Sequence, residues 1–151
     1  MLFTKKIKIL SLVPIAIGII VLAVACKKKA QKVQDNGVPY VPINIVIYPG
    51  DPLNFKIQTP GGWMYFSGGA GGLIVYRKST TEFVVLDRTS TYLPDDYNAR
   101  VKVQSDAFSC KDTISGSKWQ IVDGAVMNGP ATLPLRLYPN TYDGNALRIT
   151  N

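Results

Sequence analysis

The chain has 151 residues, 46% of them hydrophobic and 18% charged, which are the proportions of one modest globular domain and not of a disordered polymer. Its formal net charge is +7, but Lys5, Lys6, Lys8, Lys27, Lys28, Lys29 and Lys32 lie near the N-terminus, and beyond Asn36 ten Lys and Arg face nine Asp and Glu. The domain is therefore close to neutral, which removes the electrostatic footprint of a nucleic-acid binder. With no histidine anywhere, Ser-His-Asp and Cys-His catalytic sets are also excluded.

Residues 1–8 are short and positive, residues 9–25 are almost wholly apolar, and the run ends Leu22-Ala23-Val24-Ala25-Cys26. This is the layout of a secretory signal over residues 1–25. The Cys directly after Ala25 makes it resemble a bacterial lipoprotein signal, whose cleavage leaves Cys26 as the first residue, carrying covalent lipid. The alternative is an uncleaved membrane helix, since the run is at the short end of the roughly 17–25 residues that span a bilayer. Both readings place the domain in the cell envelope, on the inner or outer membrane, facing the periplasm or the exterior. Each buried methylene of an acyl chain contributes about 0.8 kcal/mol, so two or more chains hold where one would not. Residues 26–36 (CKKKAQKVQDN) read as the lipidated Cys and a flexible basic tether. Its lysines either rest on anionic headgroups at about 1 kcal/mol each or are simply solvated. With Cys26 acylated, Cys110 has no intramolecular partner and reads first as a buried small hydrophobe, then as a free thiol or an intermolecular bridge.

From residue 37 to 151 the pattern is that of a single all-β domain. Residues 43–48 alternate and are β-branched, and the cluster Pro49-Gly50-Asp51-Pro52 stops them. The Gly-rich stretch 67–72 invites a phosphate-loop reading, but a strand follows it where a helix N-terminus is needed, so it reads as a loop. Residues 73–77 and 82–87 read as a hairpin. Asp95, Asp96 and Asn98 do not match the spacing of a calcium loop and read as a solvated loop, with Arg88 and Arg100 near enough in sequence to pair the carboxylates. Residues 100–103, 118–122, 135–138 and 147–150 complete the strand set, with a turn at Asp123-Gly124. No window carries a sustained helical period. The expected architecture is an antiparallel β sandwich or small barrel. Trp63, Tyr65, Phe66, Tyr92 and Tyr97 read first as core aromatics and second as a glycan- or small-ligand-binding surface. Lys111 beside Cys110 lowers a thiol pKa only modestly and does not by itself make a nucleophile.

Several segments taken together resemble a known family. Leu73-Ile74-Val75-Tyr76-Arg77, then Phe83-Val84-Val85-Leu86-Asp87-Arg88-Thr89, then Gly116-Ser117-Lys118-Trp119, Asp123-Gly124 and Gly129-Pro130-Ala131 follow the order seen around the two cluster-binding loops of Rieske-type [2Fe-2S] proteins. The ending Tyr142-Asp143-Gly144-Asn145 with Leu147-Arg148-Ile149 is also similar. The resemblance implies a Rieske-like fold over most of residues 43–151. A Rieske centre needs two Cys on one iron and two His on the other, which the family supplies as Cys-x-His and Cys-x-x-His. The matching positions here hold Ser90 and Tyr92 in the first loop and Asp112 and Ser115 in the second.

The expectation is therefore a degenerate, non-catalytic member with no metal site and no cofactor other than the lipid on Cys26. It would serve as an interaction or structural subunit with an envelope protein partner. A Rieske electron carrier and a small-ligand or glycan-binding lipoprotein are the alternatives. Hydrogen bonds from Ser90, Asp112 and Ser115, together with packing of Tyr92, are expected to link the two loops in place of iron.

Overall fold

A computed structural model of the protein describes residues 36–151. The expected signal segment, Cys26 and residues 27–35 lie outside the described residues. The described chain is all-β, with ten strands in three antiparallel sheets and only short 3-10 turns besides.

β1 (Asn44–Ile47), β10 (Leu147–Thr150) and β9 (Asn140–Tyr142) form the first sheet, in the order β1-β10-β9. The second is a meander of β2 (Trp63–Phe66), β3 (Leu73–Arg77) and β4 (Phe83–Asp87). The third runs in chain order through β5 (Lys102–Val103), β6 (Ser109–Lys111), β7 (Lys118–Gln120) and β8 (Val126–Asn128).

The β3–β4 hairpin explains how the sheets stack. Alternate residues of a strand face opposite sides, and this hairpin is apolar on both. Leu73, Val75, Phe83 and Val85 join one core with Ile43, Ile47, Ile57, Tyr138, Leu147 and Ile149. Ile74, Val84 and Leu86 join a second core with Val101, Cys110, Trp119, Ile121, Ala131 and Leu135. The hairpin is thus the middle layer, covered by the β1-β10-β9 sheet on one face and the β5–β8 sheet on the other. A near-continuous apolar run, not strict alternation, is what burial on two faces requires.

Residues 135–138, expected as a full strand, instead make a single bridge, Leu137 to Leu86. Asp87 N–H donates to the Arg136 carbonyl at 2.9 Å and Tyr138 N–H to the Val85 carbonyl at 2.9 Å. The segment seals the free edge of β4 and brings the Tyr138 hydroxyl beneath Asp87. The turn cluster after β1 opens into a 3-10 helix, Pro52–Ile57, capped by the Asp51 carboxylate accepting from Leu53 N–H at 2.8 Å. Asn36, the last residue of the stretch expected to be a tether, is buried and donates to the Pro134 carbonyl at 3.2 Å.

Candidate functional site

Three loops meet at one end of the molecule: the segment after β4, the β6–β7 connection and the segment after β8. The first is set by Asp87, a fully buried carboxylate at the end of β4. Its Oδ1 accepts from Gly71 N–H at 2.9 Å, Thr89 N–H at 2.8 Å and the Thr89 hydroxyl at 2.7 Å. Its Oδ2 accepts from Ala70 N–H at 2.8 Å and the Tyr138 hydroxyl at 2.8 Å. A buried charge is tolerated when every lone pair is engaged, and here five donors converge on one carboxylate. Burial, followed by the Asp87 charge, pushes the Tyr138 hydroxyl pKa well above its ordinary value.

This also accounts for the Gly-rich stretch. A Cβ on Gly69 would stand 2.4 Å from Asp87 Oδ2, and one on Gly71 would stand 2.5 Å from Thr89 Oγ1. The glycines let the backbone approach a carboxylate of the chain itself, so the loop amides are already used.

Past Thr89 the chain delivers Ser90 to the second loop. Ser90 Oγ donates to Asp112 Oδ2 at 2.9 Å, and both residues are fully buried. Asp112 Oδ2 also accepts from Ser115 Oγ at 2.6 Å, and Oδ1 accepts from Ile114 N–H at 2.8 Å, an Asx turn. Gly116 N–H donates to the Asp112 carbonyl at 2.9 Å, and its φ of +80° turns the chain back so that the Ser117 carbonyl accepts from Asp112 N–H at 3.0 Å. Ser115 and Ser117 hydroxyls lie 2.9 Å apart, and Ser117 Oγ accepts from Ala131 N–H at 2.9 Å. Ser115 has one proton, and with that proton on Asp112 the Ser117 hydroxyl supplies the bond between the two serines. The result is one continuous chain of hydrogen bonds from Ala131 through Ser117, Ser115 and Asp112 to Ser90. Tyr92 and Leu93 N–H donate weakly to Ser90 Oγ at 3.3 and 3.4 Å.

The third loop, with a cis Gly129–Pro130 bond, is tied in a second time through Leu133. Its carbonyl accepts from Thr91 Oγ1 at 2.7 Å and from Trp119 Nε1 at 3.0 Å. Among the described residues, no buried side-chain N or O lacks a partner.

No family model matches the chain, and no curated protein does. Among solved structures it is similar to the ferredoxin of carbazole 1,9a-dioxygenase from Nocardioides aromaticivorans IC177. That match has 15% identity and a TM-score of 0.46, and covers 74% of this chain and 98% of that one. It is also similar to a chain in the complex of reduced oxygenase and oxidized ferredoxin in carbazole 1,9a-dioxygenase. There the identity is 18% and the TM-score 0.44, with 63% of this chain and 86% of that one covered. Identities this low say nothing of shared chemistry.

The four positions expected to match lost ligands are not equivalent. Ser90, Asp112 and Ser115 are drawn into direct contact, whereas Tyr92 is 48% exposed and does not pack between the loops as expected. Its neighbour Thr91, whose short side chain faces inward, ties the first loop to Leu133 of the third. The donor set does not suit an iron–sulfur cluster. Ser90 and Asp112 already bond each other at 2.9 Å, and the chain offers no imidazole.

The one described cysteine, Cys110, is a free thiol, fully buried in the Trp119 core. Burial, with a smaller contribution from Asp106, pushes its pKa up to about 12, so Lys111 does not activate it.

Arg88 and Arg100 do not pair with Asp95 and Asp96. Arg88 lies 4.0 Å over the Tyr65 ring and Arg100 lies 3.7 Å over Tyr97, contacts in which the cation meets the negative ring face. Asp96 instead caps the short turn Tyr97–Ala99 by accepting from Asn98 N–H at 2.8 Å. Trp63 packs against the second core and meets Tyr65 edge-on at 5.0 Å, while the Tyr65 hydroxyl accepts from Val103 N–H at 2.9 Å. Trp63 is therefore a core aromatic as expected, whereas Tyr97 is 72% exposed and is not.

Proposed function

We propose that this chain is a membrane-anchored, Rieske-like lipoprotein of the bacterial envelope that has lost its iron–sulfur centre and acts as a non-catalytic interaction or structural subunit. The observation that carries the reading is the bond from Ser90 to Asp112 at 2.9 Å, at two positions where the resemblance implies cysteine thiolates on one iron. A carboxylate and a hydroxyl that satisfy each other leave nothing to grip a soft, thiolate-seeking cluster. The polar chain ties the loops together without a metal.

The anchor half of the proposal rests on the sequence of residues 1–26, a positive start, an apolar run and Ala25-Cys26. The non-catalytic half rests on how the polar groups of the loops are used. Asp87 accepts five hydrogen bonds and Asp112 three, all from their own chain, and both are fully buried, so neither stands ready to move a substrate proton.

Absorbance and EPR spectra of the protein made in iron-sufficient cells test the cofactor-free reading. It predicts no visible iron–sulfur bands and no low-temperature signal on reduction. Metabolic labelling with a fatty acid tests the anchor, with label expected in the full chain and lost in Cys26→Ser. A [2Fe-2S] spectrum would return the protein to electron transfer.

A further inference from the structure

We propose that the three-loop end of the domain faces and partly enters the lipid bilayer, with Tyr92, Ile114 and Leu133 as its inserted side chains. The inference rests on the lipid-anchor reading above and adds an orientation to it.

Two independent observations converge on this end. The first is what the loops expose. Ser90, Asp112 and Ser117 are turned inward, and each loop leaves one large apolar side chain outside, among polar neighbours such as Asp95, Thr113 and Thr132. Tyr92, Ile114 and Leu133 are 48%, 56% and 43% exposed, each from a different one of the three loops. Thr91 and Leu133 are held together at 2.7 Å and Ile114 is held through Asp112. The three therefore sit on loops tied to one another, at a smaller ordering cost than separate loops would carry.

The second observation is where the described chain begins. Asn36 donates to the Pro134 carbonyl at 3.2 Å, one residue from Leu133. A Cβ at Gly37 would lie 3.6 Å from Pro94 Cγ, two residues from Tyr92. Residues 1–35 thus join the domain beside the exposed apolar side chains. Ten peptide steps from Cys26 to Asn36 span at most about 36 Å, so an acylated Cys26 holds Asn36 within that reach of the membrane surface.

A half-exposed tyrosine flanked by aliphatic side chains suits the interface between headgroup and acyl chain, where an aromatic ring with a polar tip is stable. Asp95 and Asp96 border the same depression as Tyr92. The loop surface itself therefore adds no attraction to anionic headgroups, and the fit of its apolar side chains is to zwitterionic lipid.

The test uses the full chain processed in a bacterium, carrying one added cysteine at a time: Ile114→Cys, Leu133→Cys or, as control, Thr80→Cys. Thr80 lies in the β3–β4 turn, separated from Ser90 by the length of β4 at about 3.3 Å per residue. Cys110 is fully buried and takes no label in the folded protein. Each variant receives an environment-sensitive fluorophore and is reconstituted into phosphatidylcholine vesicles containing spin-labelled lipid.

The expected result is several-fold stronger quenching at positions 114 and 133 than at position 80. Two loop positions guard against one variant failing to fold. Acylated chains that bind vesicles but leave all three labels in water overturn the orientation and spare the anchor. Chains without acyl mass that stay in the supernatant overturn both. Shielding from aqueous iodide that grows with protein density, with no quenching by spin-labelled lipid, would assign the surface to a second copy and overturn the proposal.

Discussion

Replacing Asp112 is the most informative perturbation of the loop network. Its carboxylate accepts three hydrogen bonds, from Ser90 Oγ at 2.9 Å, Ser115 Oγ at 2.6 Å and Ile114 N–H at 2.8 Å. Hydrogen bonds to a charged group contribute about 1.5–3 kcal/mol each, and the desolvation of the buried carboxylate opposes them by several kcal/mol. Asp112→Ala leaves the fully buried Ser90 hydroxyl and the part-buried Ser115 hydroxyl and Ile114 N–H without their acceptor, and the expected loss is about 3–5 kcal/mol. Asp112→Asn keeps an acceptor for Ile114 and lets both serine hydroxyls rotate to accept from the amide, so the expected loss is about 1–2 kcal/mol. For a domain of this size the alanine variant melts more than about 10 °C below the parent.

Urea unfolding followed by tryptophan fluorescence reads this directly, because Trp119 Nε1 is bonded to Leu133 in the same cluster. A cycle with Ser90→Ala should show a coupling of about 0.5–3 kcal/mol. Equal stability of Asp112→Ala and the parent, within about 0.5 kcal/mol, together with a coupling near zero, would refute the claim that this network joins the loops.

Four further outcomes follow from the same geometry. Gly69→Ala and Gly71→Ala drive a methyl into Asp87 or Thr89 and should each cost about 2–4 kcal/mol in denaturant titration, whereas Gly144→Ala, with open space around it, should cost only about 1 kcal/mol for its positive φ. Cys110, with its pKa pushed up to about 12, should resist a thiol reagent at pH 8 in the folded state and react fully in urea. Backbone N–H groups of Ser109 and Phe108 hold the Asp106 carboxyl below its usual range; a depressed folded value means its contribution is present above the unfolded pKa and disappears as pH falls through the folded one, so NMR titration should find Asp106 still ionised when free aspartate is half protonated. Finally, Ser90→Cys, Tyr92→His, Asp112→Cys and Ser115→His in one chain should yield a red-brown protein with a [2Fe-2S] absorption spectrum, and a folded, colourless product would count against the correspondence of these four positions.

The all-β class was legible because the strongest signals were physical. The β-branched runs at 43–48, 73–77 and 82–87 overlap β1, β3 and β4, and residues 147–150 are β10. β6, β8 and β9 were not legible, because strands of three residues are too short to show a period. β2 hid behind the glycine stretch, where Trp63, Tyr65 and Phe66 looked like generic core aromatics. The 135–138 run was apolar enough for a strand but supplies an edge bridge and a tyrosine for Asp87.

In the candidate site, the short polar residues Ser90, Asp112 and Ser115 pointed to loop hydrogen bonding before any coordinate. The roles of Thr91 and Ser117 were not foreseeable. A small hydroxyl carries no sequence signal for which carbonyl or amide it will meet across 14 or 42 residues. Asp87 was equally silent, since one acid at the end of a strand looks the same whether it meets water or five donors.

Amide hydrogen exchange at Ile114, Gly116 and Ala131, with and without prolonged treatment by an iron chelator, tests the substitution of polar bonds for metal most directly. Their N–H groups are bonded at 2.8, 2.9 and 2.9 Å, so protection comparable to neighbouring strand amides is expected in both samples. Exchange at the rate of an unstructured peptide, or protection that vanishes once iron is stripped, would contradict the account.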